Sequence, residues 1–169
     1  RHSSSAASDV YKRQLLVMLD LRAAFDTIDH VILLETLQSS IGVGGTALKW
    51  FTSYLSHRTQ QVQVKGTLSE KSKLTTGVPQ GSCLGPVLFT IYAADLFKII
   101  EKHLPAAHGY ADDHQVYLSF KPQHSTSERD SVVAMENCVS DLRRWMISNM
   151  LMVNDSKTEF LIVGSKQQL

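Results

Sequence analysis

Hydrophobic and polar positions switch repeatedly between two periods along the chain. Leu15 to Leu19 is an unbroken apolar run, the texture of a strand buried on both faces, and it closes on Asp20. Val31, Leu34, Leu37 and Ile41 then recur at helical spacing behind Asp29, a helix that Gly42, Gly44 and Gly45 would end. A second helix is expected around Thr46 to Leu55, with Leu48, Phe51 and Leu55 on one face. Arg58 to Val64 alternates as a strand does, Lys65-Gly66 turns the chain, and Lys71 to Val78 is the expected partner strand. The loop Gly77-Val78-Pro79-Gln80-Gly81-Ser82 leads into a helix with the stripe Leu84, Val87, Leu88 and Ile91 and with Pro86 in its first turn.

Farther on, Ala107, Gly109 and Ala111 put small residues on one face, and Val116, Leu118 and Phe120 alternate with Gln115, Tyr117 and Ser119. Asp112-Asp113 therefore falls at the tip of a hairpin, where Asp tolerates turn dihedrals. Ser125 with Glu128 forms a capping box for a long helix whose core face is Val132, Met135, Val139, Leu142 and Met146. Asn154 to Thr158 is a loop before a last strand, Glu159 to Val163. The order predicts an α+β fold, an antiparallel sheet with helices packed on one face.

Composition narrows this picture. With 169 residues and 43% hydrophobic content, one domain with a sizeable core is expected. Residues 1–14 (RHSSSAASDVYKRQ) lack periodicity and read as a disordered leader or an assembly scar, and 165–169 as a tail. A net charge of +1 leaves nucleic acid open, because a basic groove can be local. Arg58, Lys65, Lys71 and Lys73 gather on the first hairpin, as a solvated edge or a phosphate-contacting rim. Cys83 and Cys138 stand far apart with no metal-ligand spacing, which disfavours zinc and a disulfide framework. No apolar run reaches the roughly 18 residues of a membrane span. An intracellular setting, nucleus or cytoplasm rather than secretion, is expected.

The candidate chemistry lies in carboxylates. Asp20 ends a buried strand as either a helix cap or a cleft residue, and Asp112 turns a hairpin. If those strands are neighbours, the carboxylates meet at one end of the sheet and need a cation to neutralise them. Oxygen donors without His or Cys favour Mg²⁺ or Mn²⁺ over zinc. Two such ions about 3.5–4 Å apart clamp the attacking and leaving oxygens of an in-line phosphoryl transfer.

Four blocks, LDLRAAFDTIDH, TTGVPQGSCLGPVLFTIYAADL, YADDHQVYLSF and LMVNDSKTEFLIVG, stand in the order of a reverse transcriptase palm. Over residues 15 to about 164 the chain resembles the reverse transcriptases of non-LTR (LINE-type) retrotransposons. The resemblance implies that Asp20, the Leu21 carbonyl, Asp112 and Asp113 hold two metal ions. It assigns Phe25 as the aromatic gate against a ribose 2′-OH, Gln80 and Gly81 to the nucleotide and template, and Lys157 as the acid that protonates pyrophosphate. Without it, Phe25 reads as a core aromatic and Lys157 as a surface lysine. The implied partners are an RNA template, a DNA primer, a dNTP and the remaining segments of a polyprotein.

The chain departs from the family pattern in places. His114 stands where Thr is usual, Ser82-Cys83 varies, and the fingers, thumb and endonuclease blocks are missing. Alternatives from other classes are a different carboxylate metalloenzyme, such as a nuclease, and an inactive retroelement remnant.

Overall fold

The computed structural model describes residues 13–104, 106–110, 113–120 and 125–164, and for 106–110, 113 and 125–127 the backbone alone. In chain order the elements are β1 (Arg13–Leu19), β2 (Leu21–Arg22), α1 (His30–Ser39), α2 (Gly45–Leu55), β3 (Thr59–Gln60), β4 (Gln63–Val64), β5 (Thr67–Leu68), β6 (Ser72–Lys73), α3 (Gly85–Tyr92), α4 (Ala94–His103), β7 (Ala106–Tyr110), β8 (Asp113–Phe120), α5 (Ser125–Ser148), β9 (Met152–Val153) and β10 (Glu159–Val163). They divide into a sheet unit (to Arg22, Asp95–Ser148, and from Met152) and a helical unit (Ala23–Ala94 with Asn149–Leu151).

In the sheet unit the strands run β10-β1-β8-β7, and each neighbouring pair is antiparallel. β1 is central, but its apolar run is not buried on both faces as its composition suggested. Val17 and Leu19 are buried with His114, Val116 and Phe120 of β8, while Leu16 and Met18 on the opposite face are half-buried. The covering layer is α5, whose Met135, Cys138, Val139, Leu142 and Met146 are buried and which packs on β8 and β1. Helices thus cover one face, and the other face stays open at the Met18 end. The strand also starts at Arg13, inside the stretch read as leader. Gln14 Nε2 donates to Ser119 Oγ there, and Arg13 pairs with Glu128 of α5. Burial within this layer pushes the Cys138 thiol up to about 11, with Asp141 adding to the shift.

The helical unit differs more from the expected pattern. Asp29 caps α1 by accepting from the Val31 and Ile32 amides, but the buried residues of that helix are Leu33 and Leu37, while Val31 is 64% exposed. The core side is therefore an i, i+4 pair, and Ile41 lies past the helix end at Ser39. The expected long hairpin breaks into two short ladders, β3 with β6 and β4 with β5. Lys65 and Gly66 both have positive φ, the tight turn whose twist matches that of paired strands. The stripe on α3 is rotated, with Gly85, Leu88, Phe89 and Tyr92 buried and Val87 outside. That helix ends at Tyr92, and α4, which the pattern reading did not separate, follows at once with Leu96 and Ile100 buried. α1 packs against α2 and α3. Among the described residues no helix is long and apolar enough to cross a membrane.

Candidate active site

Asp20 follows the last residue of β1, where the chain leaves the four-stranded sheet. The next two residues pair instead with β9, Leu21 with Val153 and Arg22 with Met152. That second ladder brings Asn154 back onto Asp20. The Asn154 amide donates to the Asp20 carbonyl at 2.8 Å, and its Nδ2 donates to Asp20 Oδ2 at 2.6 Å. Asn154 also organises the turn behind it. Its carbonyl accepts from the Lys157 amide and from Thr158 Oγ1, and its Oδ1 accepts from Ser156 Oγ at 2.7 Å. Asp155 pairs with Arg143 of α5 and so ties the turn to the covering helix. The Arg143 guanidinium, first by its hydrogen bond and then by its charge, holds the Asp155 carboxyl below the usual carboxylate range.

This turn places Lys157 Nζ 3.7 Å from Asp20 Oδ2. The Lys157 side chain is 69% exposed and that of Asp20 22%. An ion pair this open contributes at most about 1 kcal/mol, so the ammonium is a movable cation rather than a structural clamp. Both groups border an open cleft of about 390 Å³, with Met18, Gln115, Ser156 and Glu159 on its walls. His114 also lines the cleft although it is almost fully buried, and its ring lies 6.2 Å from that of Phe97.

β8 begins beside the end of β1. Leu19 pairs with His114, and Tyr110 pairs with Asp113. The β1–β8 ladder ends at the Leu19–His114 pair, one residue before Asp20 on one strand and one residue after Asp113 on the other. Asp112 lies outside the described residues. Among the described residues no group of three or more His, Cys, Asp or Glu side chains clusters. The donors that are described, the Asp20 carboxylate and the backbone around Leu21, suit a hard divalent cation. Leu21 itself is buried. The residue that sequence reasoning missed is Asn154, which it had placed only as the start of a loop. An amide side chain directly preceding the Lys157-bearing turn was the available signal.

The other expected site residues fall in the helical unit. Phe25 is half-buried, its ring 5.2 Å from that of the fully buried Phe89. Its carbonyl accepts from the Val78 amide at 2.8 Å, which fastens the Gly77–Ser82 loop to the segment after β2. Gly77 makes this approach possible. Its φ is +85°, and a Cβ there would lie 2.9 Å from the Asp26 carbonyl oxygen. The Gly77 amide donates to the Ile28 carbonyl at 2.7 Å, and its own carbonyl is 2.7 Å from His30 Nε2. Gln80 and Gly81 are exposed, and Gln80 borders an open cleft of about 730 Å³ shared with Asp26, Arg58 and Thr76.

An antiparallel sheet covered by helices on one face, with a carboxylate where its central strand ends, is the α+β architecture of a polymerase palm. Solved telomerase structures share it. The telomerase of Candida Tropicalis in complex with a fragment of telomeric RNA superposes with a TM-score of 0.69 over 93% of this chain and 27% of its own, at 14% identity. That level of identity speaks for the fold alone. The chain belongs to the reverse transcriptase (RNA-dependent DNA polymerase) family, whose model matches residues 2–168. Its relatives come from non-LTR elements. The probable RNA-directed DNA polymerase from transposon BS of Drosophila melanogaster is 27% identical over 84% of this chain. The RNA-directed DNA polymerase from the mobile element jockey of the same fly is 36% identical over 46% of the chain. The chain spans only 16% and 8% of these relatives' lengths. Members of this family generally use divalent metal ions.

Proposed function

We propose that this chain is the catalytic core of an RNA-directed DNA polymerase of a non-LTR retrotransposon, extending a DNA primer on an RNA template with dNTPs. The observation that carries it is the cleft that Asp20 and Lys157 share at the end of the central strand. Asp20, the Leu21 carbonyl, Asp112 and Asp113 would hold two Mg²⁺ or Mn²⁺ ions, which supply positive charge at the reacting phosphate.

In the reaction the primer 3′-hydroxyl gives its proton to water as its oxygen bonds to the α-phosphorus, the bond from that phosphorus to the bridging oxygen breaks, and pyrophosphate departs. Lys157, mobile and already in the cleft, delivers the proton that the departing oxygen takes up. Asn154 fixes Asp20 through Oδ2, leaving Oδ1 free of this bond and oriented by it. Phe25 screens the sugar for its 2′-substituent, and Gln80 and Gly81 meet the nucleotide and template. The missing segments of a longer polyprotein would complete the grip on primer and template.

Primer extension on a primed RNA template with Mg²⁺ tests this reading. Lengthened primer that disappears in Asp20→Asn supports it, whereas shortened primer or template would mark a nuclease. Calorimetric Mg²⁺ titration of the chain and of Asp112→Asn separates an assembled site from a relic: a relic shows no difference between them.

A further inference from the structure

We propose that the outer face of Trp50 is a stacking platform for a base of a single-stranded polynucleotide, RNA or DNA. Trp50, Tyr54 and Arg58 follow one another at i, i+4 and i+8 along α2 and just past its end. The Trp50 and Tyr54 rings lie 5.4 Å apart and nearly parallel, at 12°. The Arg58 guanidinium caps the far side of the stack, 4.6 Å from the Tyr54 centroid, and its Nε donates to the Tyr54 carbonyl at 2.6 Å. Phe51 meets Trp50 edge-on at 5.2 Å and fixes its ring plane. The column thus carries a cation at one end, while Trp50 at the other end is 53% exposed.

The surroundings identify the occupant. Between Gly45 and Lys73 five cations (Lys49, Arg58, Lys65, Lys71, Lys73) face one carboxylate, Glu70, in a chain whose net charge is only +1. Lys73 pairs across the ladder with Thr59, next to Arg58. Protein interfaces are depleted of lysine, whereas aromatic faces set among cations are how single strands are held without sequence preference. Arg58 also borders the cleft that holds Gln80, so a strand stacked on Trp50 has phosphate contacts leading toward that cleft. This inference rests on the polymerase reading for which strand arrives, and its test requires no polymerisation.

The test is anisotropy of labelled uridine and thymidine homo-oligomers, with a blunt duplex as the third arm. Trp50→Ala should weaken single-strand binding by about tenfold or more, and Trp50→Phe should retain most of it. Lys73→Ala should reduce the slope of log affinity against log salt by about 0.7. Unchanged affinity in a Trp50→Ala chain with a native circular dichroism spectrum, or a preference for the duplex, would overturn the proposal. Asp20→Asn should keep the Trp50-dependent binding. A wild-type chain that binds through Trp50 but whose Mg²⁺ titration is unchanged in Asp112→Asn therefore sinks the polymerase reading alone.

Discussion

The sheet unit and the helical unit hold their candidate residues in opposite ways. Asp20 is carried by a central strand with five paired residues on one side and seven on the other. No single rung decides where that carboxylate sits. The Gly77–Ser82 loop is held instead by a few individual backbone contacts, to Phe25, Ile28 and Asp26, at a point where no Cβ fits. Redundant pairing makes the acidic site insensitive to most single changes outside its own side chains. The loop concentrates its dependence on one glycine.

The largest expected effect tests the chemical half of that contrast. Asp20→Asn keeps the volume and a partner for Asn154 but removes the charge. Primer extension should fall by about a hundredfold or more. The denaturation midpoint should scarcely move, because the strand pairing is untouched. A large loss of stability would show that the carboxylate, and not register, holds the end of β1.

Next comes the loop. Gly77→Ala combines a left-handed φ with a contact on the Asp26 backbone that cannot give way, and should destabilise the chain by roughly 2–4 kcal/mol. Gly81 has a similar φ of +78° but open space around it, so Gly81→Ala should cost only about 1 kcal/mol. Urea denaturation of the two variants isolates the close approach from the dihedral strain. Equal losses would mean that strain alone matters and that Gly77 is not a keystone.

A buried hydroxyl gives the third and smaller effect. The Tyr92 hydroxyl accepts from the Asp29 amide at 3.3 Å and donates to the Asn149 carbonyl at 2.7 Å, linking three segments of the helical unit. Burial raises its pKa. Tyr92→Phe should cost about 1–2 kcal/mol in the same assay, since both partners lose a hydrogen bond inside the core.

These expectations also mark where the sequence could be read. The two periods revealed β8 and α5 because each element is long and has one buried face, so a single misplaced residue cannot mask the pattern. They found α1 and its Asp29 cap but failed on its core face, where Leu33 joins Leu37 while Val31 is exposed and Ile41 lies beyond the helix. They failed again on the first hairpin, whose two-residue ladders are too short for an alternation to show. Asp20 was visible as a carboxylate closing an apolar run. Its partner Asn154 was not, because the bond joins residues 134 apart and depends on the β2–β9 ladder, again two residues per strand. Lys157 was placed by resemblance to a family, and no period or spacing pointed to it. The Trp50–Tyr54–Arg58 column was written in the sequence at helical spacing, but only coordinates show a ring left open at its end.

The smallest predicted effect concerns acid, and it probes the sheet unit through its covering helix. Asp155 is held below its ordinary value by Arg143, and Asp141 by the hydrogen bond from His103 and then by the nearby Arg144 and His103 charges. A carboxyl whose folded value is depressed adds stability that is complete above its unfolded value, near 4, and that fades as the pH falls through the folded value. The urea midpoint should therefore hold steady from about pH 7 to 5 and decline below about 4. Both carboxylates are open to solvent, which keeps the decline shallow. Asp155→Asn should lower the midpoint slightly at neutral pH and meet the wild-type curve at the acid end. Curves that stay parallel would show that Asp155 acts as a hydrogen-bond acceptor regardless of charge. The turn bearing Lys157 would then be tied to α5 by that hydrogen bond and not by its charge.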